Sequence, residues 1–156
     1  MFVFNCALAT VAPYTLTTAG TEYGLFSTKP GASKSAGWQS CSLIGRGAAL
    51  TSITGIAVSL SSYATASTGG TAATVTPTAS GPSVVSTTIT GQTISSSTRS
   101  LLHKLGCGAA GPGGWVEPNE DSIYRIVGGS VASFDLTAQC GTSALMVEAT
   151  QQIVEW

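Results

Sequence analysis

The chain has 156 residues, enough for one domain with a single hydrophobic core. Charged residues make up 8% of it, with six Lys and Arg against seven Asp and Glu, whereas soluble domains average about 25%. So few cations cannot form a basic stripe, and so few acids cannot form a solvating tail, which excludes a direct nucleic-acid partner and an acidic disordered protein.

Thr, Val, Ile and Ser recur in short runs separated by Gly and Pro, and runs of helix-forming residues are nearly absent. This pattern is typical of β-strands joined by turns. It predicts an all-β fold, a β-sandwich or jelly-roll-like single domain over residues 1–156 with long Gly/Pro/Thr-rich loops. A surface with so little charge repulsion also favours a packed assembly over a free monomer.

Residues 1–12 (MFVFNCALATVA) are apolar, but no Lys or Arg precedes Lys29, so the positive start of a secretory signal is missing. We interpret them as a first strand or an N-terminal arm. No apolar stretch approaches the roughly 20 residues of a membrane span, and we expect no membrane partner.

The cysteines lie far apart and lack the C-x-x-C spacing of a zinc or redox site. They are Cys6, Cys41, Cys107 and Cys140. Two disulfides could form in an oxidising compartment, with three connectivities. Because nothing else indicates secretion, we expect free thiols, with no metal or other cofactor.

In the middle of the chain, residues 54–63 alternate, with Ile56, Val58 and Leu60 on one face, which predicts a half-buried strand. Residues 64–83 (ATASTGGTAATVTPTASGPS) are charge-free and low in complexity. They form either a flexible loop or an extended segment that becomes ordered against a neighbouring subunit. Residues 84–90 and 92–97 flank Gly91, which indicates two strands or one strand with a glycine bulge.

Towards the C-terminus, residues 122–127 and 131–137 carry β-forming residues on either side of Gly128, Gly129 and Ser130. This arrangement predicts a β-hairpin, since glycines accept the positive φ of its turn. Residues 143–156 predict one long strand, bent near Thr150.

Residues 106–111 match the G-x-G-x-x-G dinucleotide pattern, but Pro112 and two glycines follow where the motif needs a helix. We therefore expect residues 105–121 to be a surface loop, with glycines that allow close backbone approach.

The sequence also gives little support for a catalytic site. His103 is the only histidine, so a triad would have to join it to Cys107 and to Asp121 or Asp135, and no nucleophile-elbow pattern supports that set. The acids Glu117, Glu120 and Asp121 crowd into one segment instead of facing each other across strands, as glycosidase carboxylates do. We expect no enzymatic activity.

The tryptophans Trp38, Trp115 and Trp156 lie in loop-like or terminal contexts. Such residues serve as core, as interface anchors or as sugar-stacking platforms, and core or interface is favoured here.

The C-terminal part combines a Gly/Pro loop, the segment EPNEDSIYRIV, a glycine turn and an alternating strand that ends in Ile153-Val154-Glu155-Trp156. Over residues 101–156 the chain resembles the decoration, or cement, proteins of tailed-bacteriophage capsids. That resemblance implies a homotrimer on the outside of the virion, assembled in the host cytoplasm and bridging neighbouring copies of a major capsid protein. The resemblance places the capsid contact in the N-terminal arm, at residues 1–4. From their aromatic surface and loop-like settings, we expect Phe2, Phe4, Trp38 and Trp115, together with Pro112, to be interface residues. The alternative is a secreted or surface β-sandwich, either an adhesin or a carbohydrate-binding module.

Overall fold

The strand-forming runs become β-strands in a computed structural model that describes residues 5–45, 55–73, 75–77, 86–108, 112–116, 123–141 and 145–156. Within these ranges there are twelve strands and no helix, which confirms the all-β prediction. In chain order they are β1 (Asn5–Leu16), β2 (Glu22–Lys29), β3 (Ala36–Gly45), β4 (Ile56–Tyr63), β5 (Thr71–Ala72), β6 (Val75–Pro77), β7 (Thr87–Thr90), β8 (Arg99–Cys107), β9 (Pro112–Val116), β10 (Tyr124–Ile126), β11 (Ser133–Cys140) and β12 (Leu145–Glu155).

The strands form one curled antiparallel sheet in the order β5-β7-β2-β11-β4-β8-β9-β3-β12-β1-β6, with β10 paired to β3. Its curvature brings the two halves face to face in a sandwich-like arrangement around one apolar core. The largest core side chains are Leu16, Leu25, Phe26, Trp38, Leu43, Ile56, Leu60, Phe134, Leu136 and Ile153. Alternation places them there, since every second residue of a strand points to the same face.

Two predicted strands are confirmed. In β4, Ile56, Val58 and Leu60 are buried while Ala57 is exposed. β12 is one long strand, and its register against β3 shifts between Gln152 and Ile153, close to the predicted bend. Residues 5–12 belong to β1, which lies between β12 and β6, so the first-strand interpretation is correct for them.

The predicted hairpin at 122–137 is wrong in its pairing, although its turn forms. β10 pairs with β3, and β11 pairs with β2 and β4. The turn is held from outside, because the N–H of Gly129, at φ 73°, donates to the carbonyl of Gly31 at 3.0 Å. A turn docked on another segment lets its two strands diverge to different partners.

The predicted surface loop at 105–121 is wrong over its first half. Residues 105–107 complete β8 and residues 112–116 form β9, while 117–121 lie outside the described ranges. The expected close approach is confirmed, since a Cβ added to Gly113 would lie 2.2 Å from the carbonyl oxygen of Gly106.

The described parts of the low-complexity segment contain two short strands that pair within the chain. β5 adds to β7, and β6 adds to β1. Of the runs that flank Gly91, the first yields β7, and Gly91 ends it at φ 64°. The second, residues 92–97, forms a single bridge between Thr93 and Thr68.

Candidate functional site

Of the five predicted interface residues, the structure describes the side chains of Trp38 and Pro112, and these two do not share one surface. Trp38 has no exposed surface and packs in the core, so its interface assignment is wrong for the single chain. Pro112 is exposed at the start of β9. The backbone of Trp115 lies in β9, where it pairs with Cys41 of β3, but its side chain is outside what the structure describes. Phe2 and Phe4 lie outside the described residues altogether.

Pro112 lies at the rim of an open groove where β4, β8 and β9 end. Gly55, Ile56, Ala57, Leu105, Gly106, Cys107 and Gly108 form the rest of its lining. Ile44, which is 41% exposed, lies directly opposite Pro112 on β3 and extends the apolar surface. This end of the molecule is therefore an open groove lined largely by small residues, in which backbone polar groups and apolar side chains are both exposed.

His103 and Cys107 do not form a catalytic pair. Four residues along β8 separate them by about 13 Å at the rise of a strand. The His103 ring instead stacks obliquely on Trp38, with 5.9 Å between ring centroids. Burial raises the pKa of the Cys107 thiol, against a smaller opposing effect of a hydrogen bond with the backbone of Gly45, which suits a structural thiol.

The thiol prediction holds where the structure tests it. Cys41, Cys107 and Cys140 are buried and form no disulfide. They behave as small apolar residues of the core.

Asp135, at the middle of β11, is completely buried in a cluster of hydroxyl groups. Ser27 and Ser133 each donate to its Oδ1 at 2.7 Å, and Ser67 donates to Oδ2. Ser67 in turn accepts the N–H of Ser95 at 2.8 Å. The Asp135 cluster therefore ties the segment at residues 64–68 to the outer face of the sheet.

Sequence reasoning missed this cluster. One signal was present, since Asp135 is a lone acid in the run VASFDLT, where it alternates with apolar side chains. Ser67 could not have been found, because it lies among many similar Ser and Thr residues in the low-complexity segment.

A second polar contact lies beside this cluster. Arg99 binds Glu22 through two hydrogen bonds of 2.8 Å, and its Nε donates to Ser61 at 2.9 Å. Burial tends to raise the pKa of Glu22, but the hydrogen bonds from Arg99 and Thr137 outweigh it and hold that pKa below its usual value. The pKa of Tyr63 is raised, mainly by burial.

Two further charged groups are also engaged inside the chain. The guanidinium carbon of Arg125 lies 4.2 Å from the ring centroid of Trp156, a cation–π contact. The buried carboxylate of Glu155 accepts the backbone N–H of Ser86. The guanidinium of Arg125 therefore lies over one face of the Trp156 ring.

Within the described ranges, no three His, Cys, Asp or Glu side chains come together as metal ligands would. In the same part of the chain, no helix has the length and apolarity needed to cross a membrane. Comparisons of the chain with protein-family models, with curated proteins and with solved structures gave no significant match.

Proposed function

We propose that this protein is a structural subunit that associates with copies of itself in a protein shell, as a decoration protein does on the outside of a tailed-phage head. The observation that carries the proposal is that several of its few charged groups are engaged within the chain. These are Arg99 with Glu22, Arg125, Asp135 and Glu155, while Lys29 and Lys104 are exposed.

Ser and Thr are frequent on the exposed surface that the structure describes. Exposed Ser and Thr residues include Thr15, Thr17, Thr18, Ser42, Thr65, Thr68, Thr87, Thr93, Ser96, Thr98 and Ser100. Such a surface causes little electrostatic repulsion between subunits that pack closely. Its hydroxyl groups can replace hydrogen bonds to water with hydrogen bonds to a neighbouring subunit at a small net change in free energy.

Exposed apolar side chains supply the attraction. Ile44 is 41% exposed, Leu101 50%, Val127 69% and Val131 62%. Burying apolar surface contributes about 25 cal/mol per Å², so each contact is modest. Repetition by symmetry gives such contacts high avidity, which is how a shell subunit is held without chemistry.

Two observations disfavour the alternative of a secreted adhesin or carbohydrate-binding module. A secreted module would be expected to join its four cysteines in two disulfides, whereas Cys41, Cys107 and Cys140 form none. A sugar-stacking site needs an open aromatic face, whereas of the two tryptophan side chains that the structure describes, Trp38 is buried and Trp156 has the Arg125 guanidinium over its ring.

The experiment is cosedimentation of purified protein with phage heads that lack their outer proteins. We expect saturable binding and a rise in the temperature at which heads release DNA. Ile44→Lys places a charge beside the groove at Pro112 and should weaken binding, whereas Thr98→Lys adds the same charge at an exposed hydroxyl position and should not. Absence of binding, with the chain monomeric at every concentration, would overturn the proposal.

A further inference from the structure

The two strands at opposite ends of the sheet order are neighbours in the sequence. β5 pairs with β7 at one end, β6 pairs with β1 at the other, and residues 73 and 74 alone separate them. One short stretch of chain therefore reaches from one edge of the sheet to the other.

The chain before β5 is firmly attached to the body of the molecule. The N–H of Ala64 donates to Thr98 at 3.0 Å, and that of Ala66 donates to Val131 at 2.7 Å. Ser67 is bound in the Asp135 cluster, and Thr68 bridges to Thr93. The attachment thus extends as far as residue 68.

Two glycines follow this anchor. Gly69 and Gly70 have φ of 71° and 74°, a conformation that side chains with a Cβ rarely adopt. Glycines of this kind let the chain change direction between the anchor and β5, and a Cβ on Gly70 would lie 2.4 Å from the carbonyl oxygen of Thr90, so this turn packs against the end of β7.

Beyond this turn the pairing is short. β5 makes two register pairs with β7, extended by hydrogen bonds from the N–H of Ala73 to the carbonyl of Thr88 and from the Thr90 hydroxyl to the carbonyl of Thr71. β6 makes three register pairs with β1. β1 itself is twelve residues long, so on this side it offers more edge than the described part of β6 covers.

We infer that in the assembled protein β6 of one copy pairs with β1 of a neighbouring copy, in the same register that it uses within its own chain. The pairs are Ala7↔Pro77, Leu8↔Thr76 and Ala9↔Val75. The partner is a second copy of this chain, and the inference rests on the proposed function.

The exchange re-forms the three β6–β1 pairs that it breaks and gives up at most the short β5–β7 pairing, so its balance depends on concentration. In a dilute solution the tether makes the chain's own β1 the nearer partner. In a packed shell the neighbour's β1 is equally near, and an identical element is exchanged at low cost. Residues 64–83 carry no charge, so no ion pair has to break.

Crosslinking at Leu8 and Thr76 tests the exchange, because residues directly opposite on paired strands lie within reach of a disulfide or short crosslinker. Leu8→Cys and Thr76→Cys are introduced together in a Cys6→Ser background. Isotope-labelled and unlabelled chains are mixed, assembled and oxidised, and linked peptides are identified by mass spectrometry. We expect labelled–unlabelled hybrids in the assembly and links within one chain at high dilution.

The matched control is Thr10→Cys with Thr150→Cys, which joins β1 to β12 and should link within one chain under both conditions. If the first pair prevents folding, Ala9→Cys with Val75→Cys probes the same contact. Links confined to single chains in an assembled sample would overturn the exchange and leave the proposed function standing. A chain that never assembles would overturn both.

Discussion

Replacing Asp135 with Ala tests how the segment at residues 64–68 is held. The carboxylate is completely buried and accepts three serine hydroxyls, from Ser27, Ser67 and Ser133. Removing it leaves three hydroxyl donors without their acceptor, at about 1 kcal/mol each, the low end of the usual range because a hydroxyl can rotate to a new partner. We expect a loss of about 3 kcal/mol in the free energy of unfolding.

For a chain of this length, that loss corresponds to a fall in Tm of about 6–12 °C. Urea unfolding followed by circular dichroism measures it, and an unchanged m-value would show that the unfolded state is unaltered. Asp135→Asn keeps one acceptor oxygen and should cost less, about 1–2 kcal/mol. Adding Ser67→Ala to the Asp135→Ala chain should lower the free energy of unfolding by only about 1 kcal/mol more, since the contact with Asp135 is already lost and only the hydrogen bond from the N–H of Ser95 is removed. A loss below about 1 kcal/mol for Asp135→Ala would refute this reasoning.

Three further changes probe other parts of the chain. Because its folded pKa is lowered, Glu22 stabilises the protein above the usual Glu pKa of about 4.3, and this contribution disappears as pH falls through the folded pKa. Between pH 6 and about pH 3, the free energy of unfolding from urea titrations should fall by up to about 1 kcal/mol more in the parent than in Glu22→Gln, and an equal fall in both would contradict this. Trp38→Ala should lower the free energy of unfolding of the dilute monomer by about 3–5 kcal/mol, as for any buried aromatic residue. A variant that is as stable as the parent but associates less well would instead support an interface role for Trp38. Gly113→Ala drives a Cβ onto the carbonyl of Gly106 and should lower Tm, while Gly108→Ala, with open space around it, should leave thermal unfolding unchanged.

The sequence predicted those strands whose burial follows simple alternation. Ile56, Val58 and Leu60 face the core as expected, and β12 runs unbroken to its end. The pairing partners could not be derived in the same way. The turn at Gly129 has hairpin chemistry, but a hydrogen bond to Gly31, which is distant in sequence, decides where its strands go. Long-range contacts of that kind leave no local pattern.

The candidate site was predicted less well than the fold. Pro112 is exposed as an interface residue should be, but Trp38 shows why aromatic residues in apparently loop-like sequence mislead. Its neighbours Gly37 and Gln39 resemble a loop, yet they lie within β3, where β10 and β12 pair on either side. Small residues beside a large one allow close packing in a core as readily as they form a turn.

Sedimentation velocity of the full chain over a range of concentrations, at about 50 mM and about 500 mM NaCl, tests most directly whether a charge-poor surface drives association. If hydroxyl and apolar surfaces hold the subunits together, the mass should rise with concentration to multiples of 15.6 kDa, and salt should leave it unchanged or increase it. A species that remains at 15.6 kDa at every concentration, or an oligomer that salt dissociates, would contradict it.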